Sequence, residues 1–162
     1  MTTTLDKNVS RFLRHFGINK ARRNERTSFC YDPNTRNIYY SVYQRSEDAS
    51  HTEWIKEKYG FDVSDYVFLF AILHEVGHHM TLDQLTEEQM QMEDFTRRFL
   101  LPQMEEEGMP VEIINEVYYN LPAEDLANRW AFEYMAKNWK RCLQFNNKCV
   151  SILQHMIKVG RV

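Results

Sequence analysis

His74-Glu75-Val76-Gly77-His78 sets two imidazoles four residues apart with a carboxylate beside the first. On a helix, residues i and i+4 share a face, so His74 and His78 can turn ring nitrogens toward one metal ion at roughly 2.0–2.1 Å. Glu75 projects about 100° further round the axis, where it could reach a water beside the metal instead of the metal itself. That is the position of a general base in a metallopeptidase. Two plainer readings compete: a solvated His/Glu face on an ordinary helix, and a structural zinc site without chemistry.

The run leading into this motif, Tyr66-Val67-Phe68-Leu69-Phe70-Ala71-Ile72-Leu73, is apolar on every side and predicts a buried central helix. Asp62 or Ser64 could cap it. Its length through His79 exceeds that of a usual strand, and Gly77 allows close packing without breaking a helix.

Upstream, Leu5, Val9, Phe12, Leu13 and Phe16 recur at helical spacing, and Gly17 follows where a left-handed cap is wanted. Ser28–Tyr31 and Asn37–Tyr43 are β-prone runs separated by the turn formers Asp32-Pro33-Asn34-Thr35-Arg36-Asn37, which predicts a hairpin. A short helix from about Ala49 to Tyr59, closed by Gly60, completes this half.

Downstream, Thr86-Glu87-Glu88-Gln89 has capping-box spacing, and Met90, Met92, Phe95, Phe99 and Leu100 read as the core stripe of a helix ending near Pro102. Glu105-Glu106-Glu107-Gly108 reads as a solvated break, and Pro110 opens a short helix from Val111 to Tyr119. Pro122 suits the first turn of a long helix carrying Leu126, Ala127, Trp130, Ala131, Tyr134 and Met135 at spacings of three and four. Asn146-Asn147 is expected to interrupt that helix before a terminal one with Val150, Leu153, Met156 and Ile157. The fold expected is α+β: a mostly helical, zincin-like domain with a small antiparallel β-sheet, the hairpin, before the active-site helix.

With 162 residues, 43% of them hydrophobic, the chain suits one compact domain spanning 1–162. Its net charge of −3 gives no strong nucleic-acid signal. The charge is nevertheless segregated. Lys7, Arg11, Arg14, Lys20, Arg22, Arg23 and Arg26 dominate the start, whereas Asp83 to Glu107 holds eight acids against Arg97 and Arg98. Solvated surface explains both stretches, and a basic arm for an acidic partner is the alternative. Cys30, Cys142 and Cys149 are an odd number and form no disulfide framework, which fits a reducing cytosol. On one continuous helix, Cys142 and Cys149 would be about 10 Å apart, too far to bridge. Met1 to Ser10 lacks an apolar signal region, and no apolar run approaches the ~20 residues of a membrane span. The expectation is a cytoplasmic protein without membrane contact.

Two histidines leave a catalytic zinc site one protein ligand short. The metzincin pattern fails, because Thr81 stands where its glycine belongs and Gln84 where its third histidine belongs. Candidates for the third ligand are Glu124, the nearer acids Asp83, Glu87, Glu88, Glu93 and Asp94, and His155.

The motif together with Glu124-Asp125-Leu126-Ala127-Asn128-Arg129-Trp130-Ala131 resembles the ImmA/IrrE-type metallopeptidases, gluzincin-like enzymes that pair HExxH with E-x-x-A-N-x-(aromatic)-A. The resemblance covers about a third of the chain, with its specificity in these two motifs. It implies His74, His78 and Glu124 as Zn2+ ligands, Glu75 as catalytic acid/base, and Asn128 as a residue supporting a ligand histidine or helix packing. It also implies close helix approach at Ala127 and Ala131, and a hairpin beside the cleft that can pair with an extended protein or peptide substrate. The gap between His78 and Glu124 is longer than is common in the family, and no regulatory domain is evident. Tyr118, Tyr119, Arg129 and His79 are the candidate oxyanion or substrate contacts. The expected activity is intracellular cleavage of one or a few proteins, such as a regulator or repressor. The rival is a scaffold that keeps this site but acts by binding and occluding a partner through its charged surfaces.

Overall fold

The computed structural model describes residues 3–24, 29–42 and 48–158. Helix α1 (Thr4–Leu13) starts with a capping box in which Asp6 N–H donates to Thr3 Oγ1 and Thr3 N–H donates to Asp6 Oδ2. A single tight turn, Arg14–Phe16, then ends at Gly17, whose φ of 79° is the left-handed conformation expected there. Three short strands follow: β1 (Lys20–Arg23), β2 (Cys30–Asp32) and β3 (Asn37–Tyr40).

β2 and β3 form the expected antiparallel hairpin, with Tyr31 opposite Ile38. The sheet as a whole is mixed, because β1 lies parallel to β3 on its other side, with Ala21 opposite Ile38. This corrects the wholly antiparallel expectation. β1 escapes a pattern reading because its residues are Lys-Ala-Arg-Arg and only Ala21 is buried. Ser28 and Tyr43 of the expected hairpin lie outside the described residues.

α2 spans Asp48–Tyr59, and Gly60 closes it with a φ of 71°. Neither Asp62 nor Ser64 caps the central helix. Asp62 instead accepts from Ser64 N–H and Oγ–H in the turn that precedes it. The central helix α3 (Val67–Thr81) buries Leu69, Phe70, Ile72, Leu73 and Val76, and packs against the sheet and the two long C-terminal helices.

The next helical stretch runs from α4 (Glu87–Phe95) through a π-turn at Thr96–Leu100 into α5 (Leu101–Glu106). The Thr86/Gln89 capping box opens it as expected. Its apolar stripe is not core: Met90, Met92, Phe95, Phe99 and Leu100 are all exposed, while Glu93 and Thr96 are buried. The extra residue of the π-turn rotates the later side chains, and the inner face is occupied by polar groups with partners described below.

α6 (Val111–Tyr119) starts at Pro110 and α7 (Pro122–Lys137) carries Pro122 in its first turn. α8 spans Trp139–Lys158 without the expected interruption at Asn146-Asn147. The break comes at Asn138 instead. Asparagine weakens a helix by only about 0.7 kcal/mol, and the buried stripe Cys142, Phe145, Cys149 and Met156 outweighs that. Phe145 stacks on Phe12 of α1 at 4.0 Å between ring centroids, closing the core. Cys142 and Cys149 are buried free thiols. Among the described residues, no helix is long and apolar enough to cross a membrane.

Candidate metal centre

α3 and α7 meet at Gly77 and Ala127. A Cβ added at Gly77 would lie 2.5 Å from the Ala127 carbonyl oxygen and 2.7 Å from its Cα, so only glycine permits this approach. His74 stands about one turn before Gly77 and His78 directly follows it, and Glu124 and Asn128 stand in the same relation to Ala127. Close backbone contact therefore delivers both histidines to the first turn of α7.

There, His74 Nε2 is 3.0 Å from His78 Nε2 and 3.0 Å from Glu124 Oε2, and His78 Nε2 is 3.6 Å from the same oxygen. Ligand atoms at roughly 2.0–2.1 Å from a tetrahedral ion stand about 3.3 Å apart. The three side chains thus form a group positioned to bind a metal ion. None of the nearer acids joins it, and His155 is exposed on α8.

A hydrogen-bond chain orients His74. Its Nδ1 lies 2.7 Å from Asn128 Oδ1, Asn128 Nδ2 donates to Tyr59 Oη at 3.4 Å, and Tyr59 donates to Asp125 Oδ1 at 2.7 Å. Because the amide's NH2 faces Tyr59, its oxygen must accept from His74 Nδ1–H. That makes Nε2 the nitrogen that would lose its proton and turn to a metal. Arg129 props the far end by donating to Asp125 at 2.6 Å and is itself exposed.

A second chain holds Glu124. Arg97 donates through Nη2 to Glu124 Oε1 at 2.6 Å and through Nε to Glu93 Oε2 at 3.3 Å. Glu93 also accepts from Ala123 N–H. α7 has no capping side chain of its own at Leu121, so a carboxylate from α4 supplies its cap across the fold. Arg97 also lies over the Tyr118 ring at 5.0 Å. With Oε1 engaged by Arg97, Oε2 is the oxygen left for a metal.

Charge balance follows from these contacts. Burial alone would raise the Glu124 pKa, but hydrogen bonds from His74 and His78 hold it well below the usual carboxylate range. Burial would lower that of His74, yet Glu124 wins and lifts it to about 9. Glu75 is buried, and desolvation raises its pKa despite the neighbouring imidazoles and a hydrogen bond from the Tyr31 backbone. A carboxylate so placed is a stronger base than one in water.

The remaining candidates separate cleanly. Tyr118 lies within electrostatic reach of Glu124 and Glu75, and burial pushes its hydroxyl pKa upward. Tyr119 is turned onto His51, with ring centroids 4.3 Å apart, and Arg129 is committed to Asp125. His79 Nδ1 is 2.7 Å from Tyr31 Oη. His51 went unnoticed in the sequence. It sits on α2 within reach of His74 and Glu124, and burial lowers its pKa to about 4. Arg97, Glu93 and Tyr31 also went unassigned as supports of the site. Comparison with known proteins finds no matching family model and no significant match among curated proteins or solved structures.

Proposed function

We propose that the chain is a gluzincin-type zinc peptidase of the ImmA/IrrE kind, cleaving one or a few protein substrates inside a cell. The observation that supports it most is the convergence of His74, His78 and Glu124 beside a buried Glu75, with Asn128 and Arg97 fixing which ligand atoms face inward. Two imidazoles and a carboxylate are a zinc donor set with room for a further ligand. A zinc ion held there would polarise a scissile carbonyl and lower the pKa of a water from 15.7 toward ~7.

Glu75 takes the proton of the attacking water and passes it to the departing amine. Tyr118, lying under Arg97 with its hydroxyl pKa raised by burial, keeps its O–H and would donate it to the carbonyl oxygen as negative charge develops. β2 is one of the two edge strands among the described residues and packs against α3, so an extended substrate pairing with that edge would run beside the helix that carries Glu75. The test is cleavage of a protein-derived peptide library by wild type and Glu75→Gln, each with zinc bound. Loss of about 10²–10⁴-fold is expected, and equal cleavage excludes the mechanism.

The exposed acidic segment favours a second reading, a scaffold that occludes a partner without needing catalysis. In that case Glu75→Gln keeps biological activity, while reversing Arg22 and Arg23, or exposed acids between Glu87 and Glu107, abolishes it.

A further inference from the structure

The helix that supports Glu124 is built inside out. Its inner face presents Glu93, Thr96 and Arg97, whereas Met92, Phe95 and Phe99 face solvent with relative exposures of 48%, 59% and 61%. The Phe95 and Phe99 rings lie 5.8 Å apart, so the ridge is continuous over successive turns. Adjacent exposed aromatics of this size mark an interaction surface more often than plain solvated helix.

The surrounding charge indicates what covers it. Residues 83–120 hold ten acids against Arg97 and Arg98 alone, a net −8, while the whole chain is −3 and the remainder therefore +5. Arg97 is turned inward onto Glu124, and Arg98 is paired with Asp94 at 2.6 Å. Glu87 and Glu88 precede the ridge at the start of α4, and Glu105, Glu106 and Glu107 follow it at the end of α5, all of them exposed. Two copies of this face would repel each other.

We infer that the outer face of α4 and its π-turn is a docking surface for an amphipathic helix of a partner protein, carrying apolar anchors flanked by lysine and arginine. Met92, Phe95 and Phe99 recur with the spacing that a partner helix meets ridge to groove, and the acids around them match a basic rim. The inference rests on this surface alone and stands independently of metal chemistry.

The test uses the full chain and a fluorescent peptide of about 18 residues, roughly five helical turns, with leucine on one face and lysine on the other. Anisotropy should show saturable binding that weakens as NaCl rises from about 0.1 to about 0.5 M. Phe95→Ser/Phe99→Ser should weaken it about tenfold or more, Glu105→Lys/Glu106→Lys should weaken it as well, and Ile157→Ser, at an exposed apolar site on α8, should leave it unchanged. Equal binding of a leucine/glutamate peptide, or of a scrambled leucine/lysine peptide, overturns the proposal. So does unaltered binding by the phenylalanine variant, or a wild-type dimer that the same variant turns into a monomer. Glu75→Gln should bind the peptide as wild type does, which separates this result from any failure of the peptidase reading.

Discussion

Replacing Gly77 by alanine tests the contact on which the centre is built. Alanine is the better helix former by about 1 kcal/mol, so a Gly77 in an ordinary helix would be stabilised by the change. Here the new methyl would stand 2.5 Å from the Ala127 carbonyl oxygen and 2.9 Å from its carbonyl carbon. Backbone atoms cannot swing aside, so α3 and α7 must part by roughly 1 Å. Overpacking of this kind costs about 3 kcal/mol at the upper end of its usual range, leaving a net loss near ~2 kcal/mol after the propensity gain. The same displacement pulls His74 and His78 from Glu124, so zinc affinity should fall by about tenfold or more. Urea unfolding of the metal-free protein reads the first effect and chelator competition the second. Ala127→Gly cannot rescue the variant, because the clashing atoms are not the Ala127 side chain. A higher unfolding midpoint with unchanged zinc affinity would refute the close crossing.

Arg97→Ala should weaken zinc binding about 10–100-fold by freeing Glu124 Oε1, with Arg97→Lys recovering only part because an ammonium cannot grip Glu124 and Glu93 as a fork does; unchanged affinity in a chelator titration would remove Arg97 from the site. Asp6 is buried, which raises its pKa, but hydrogen bonds from Tyr40 and Thr3 prevail and hold it below 3.8. A depressed acid contributes stability above its unfolded value and loses it as pH falls through the folded one. Asp6→Asn should therefore be less stable by about 1–2 kcal/mol near neutral pH, and its deficit should shrink as pH drops below 3.8. Urea midpoints that keep a constant gap across that range would contradict this role.

The parts of the site legible in the sequence are those whose geometry is local. His74 and His78 share a face by spacing alone, and Pro122 marks the turn that carries Glu124 and the asparagine four residues later. Glu93 and Arg97 were not legible, because capping α7 and gripping Glu124 are contacts between residues 27 and 30 positions apart with no short-range signature. The same gap explains the misreading of α4. Periodicity shows that Met92, Phe95 and Phe99 form a stripe, but not which way it faces, and the inward direction is only a default. Asn146 misled for another reason: a weak local preference was set against a long buried stripe whose strength depends on α1 and α3.

The orientation of α4 follows from its work on α7. The first turn of α7 must present Glu124 to two imidazoles, yet Leu121 offers no cap, and a buried carboxylate without a counter-charge would protonate instead of remaining a ligand. Glu93 supplies the cap and Arg97 the charge, and they lie four residues apart on one face. A helix with that face turned inward has its aromatic stripe turned out. The inverted amphipathicity of α4 is thus a consequence of supporting Glu124, and the acidic segment between His78 and Glu124 joins the metal centre to the molecular surface. A partner seated on Phe95 and Phe99 would press on the turn that carries Arg97. Peptide bound at the ridge should therefore alter zinc affinity in wild type and leave it unaltered in Arg97→Ala, since thermodynamic coupling between two sites needs a contact that both can move.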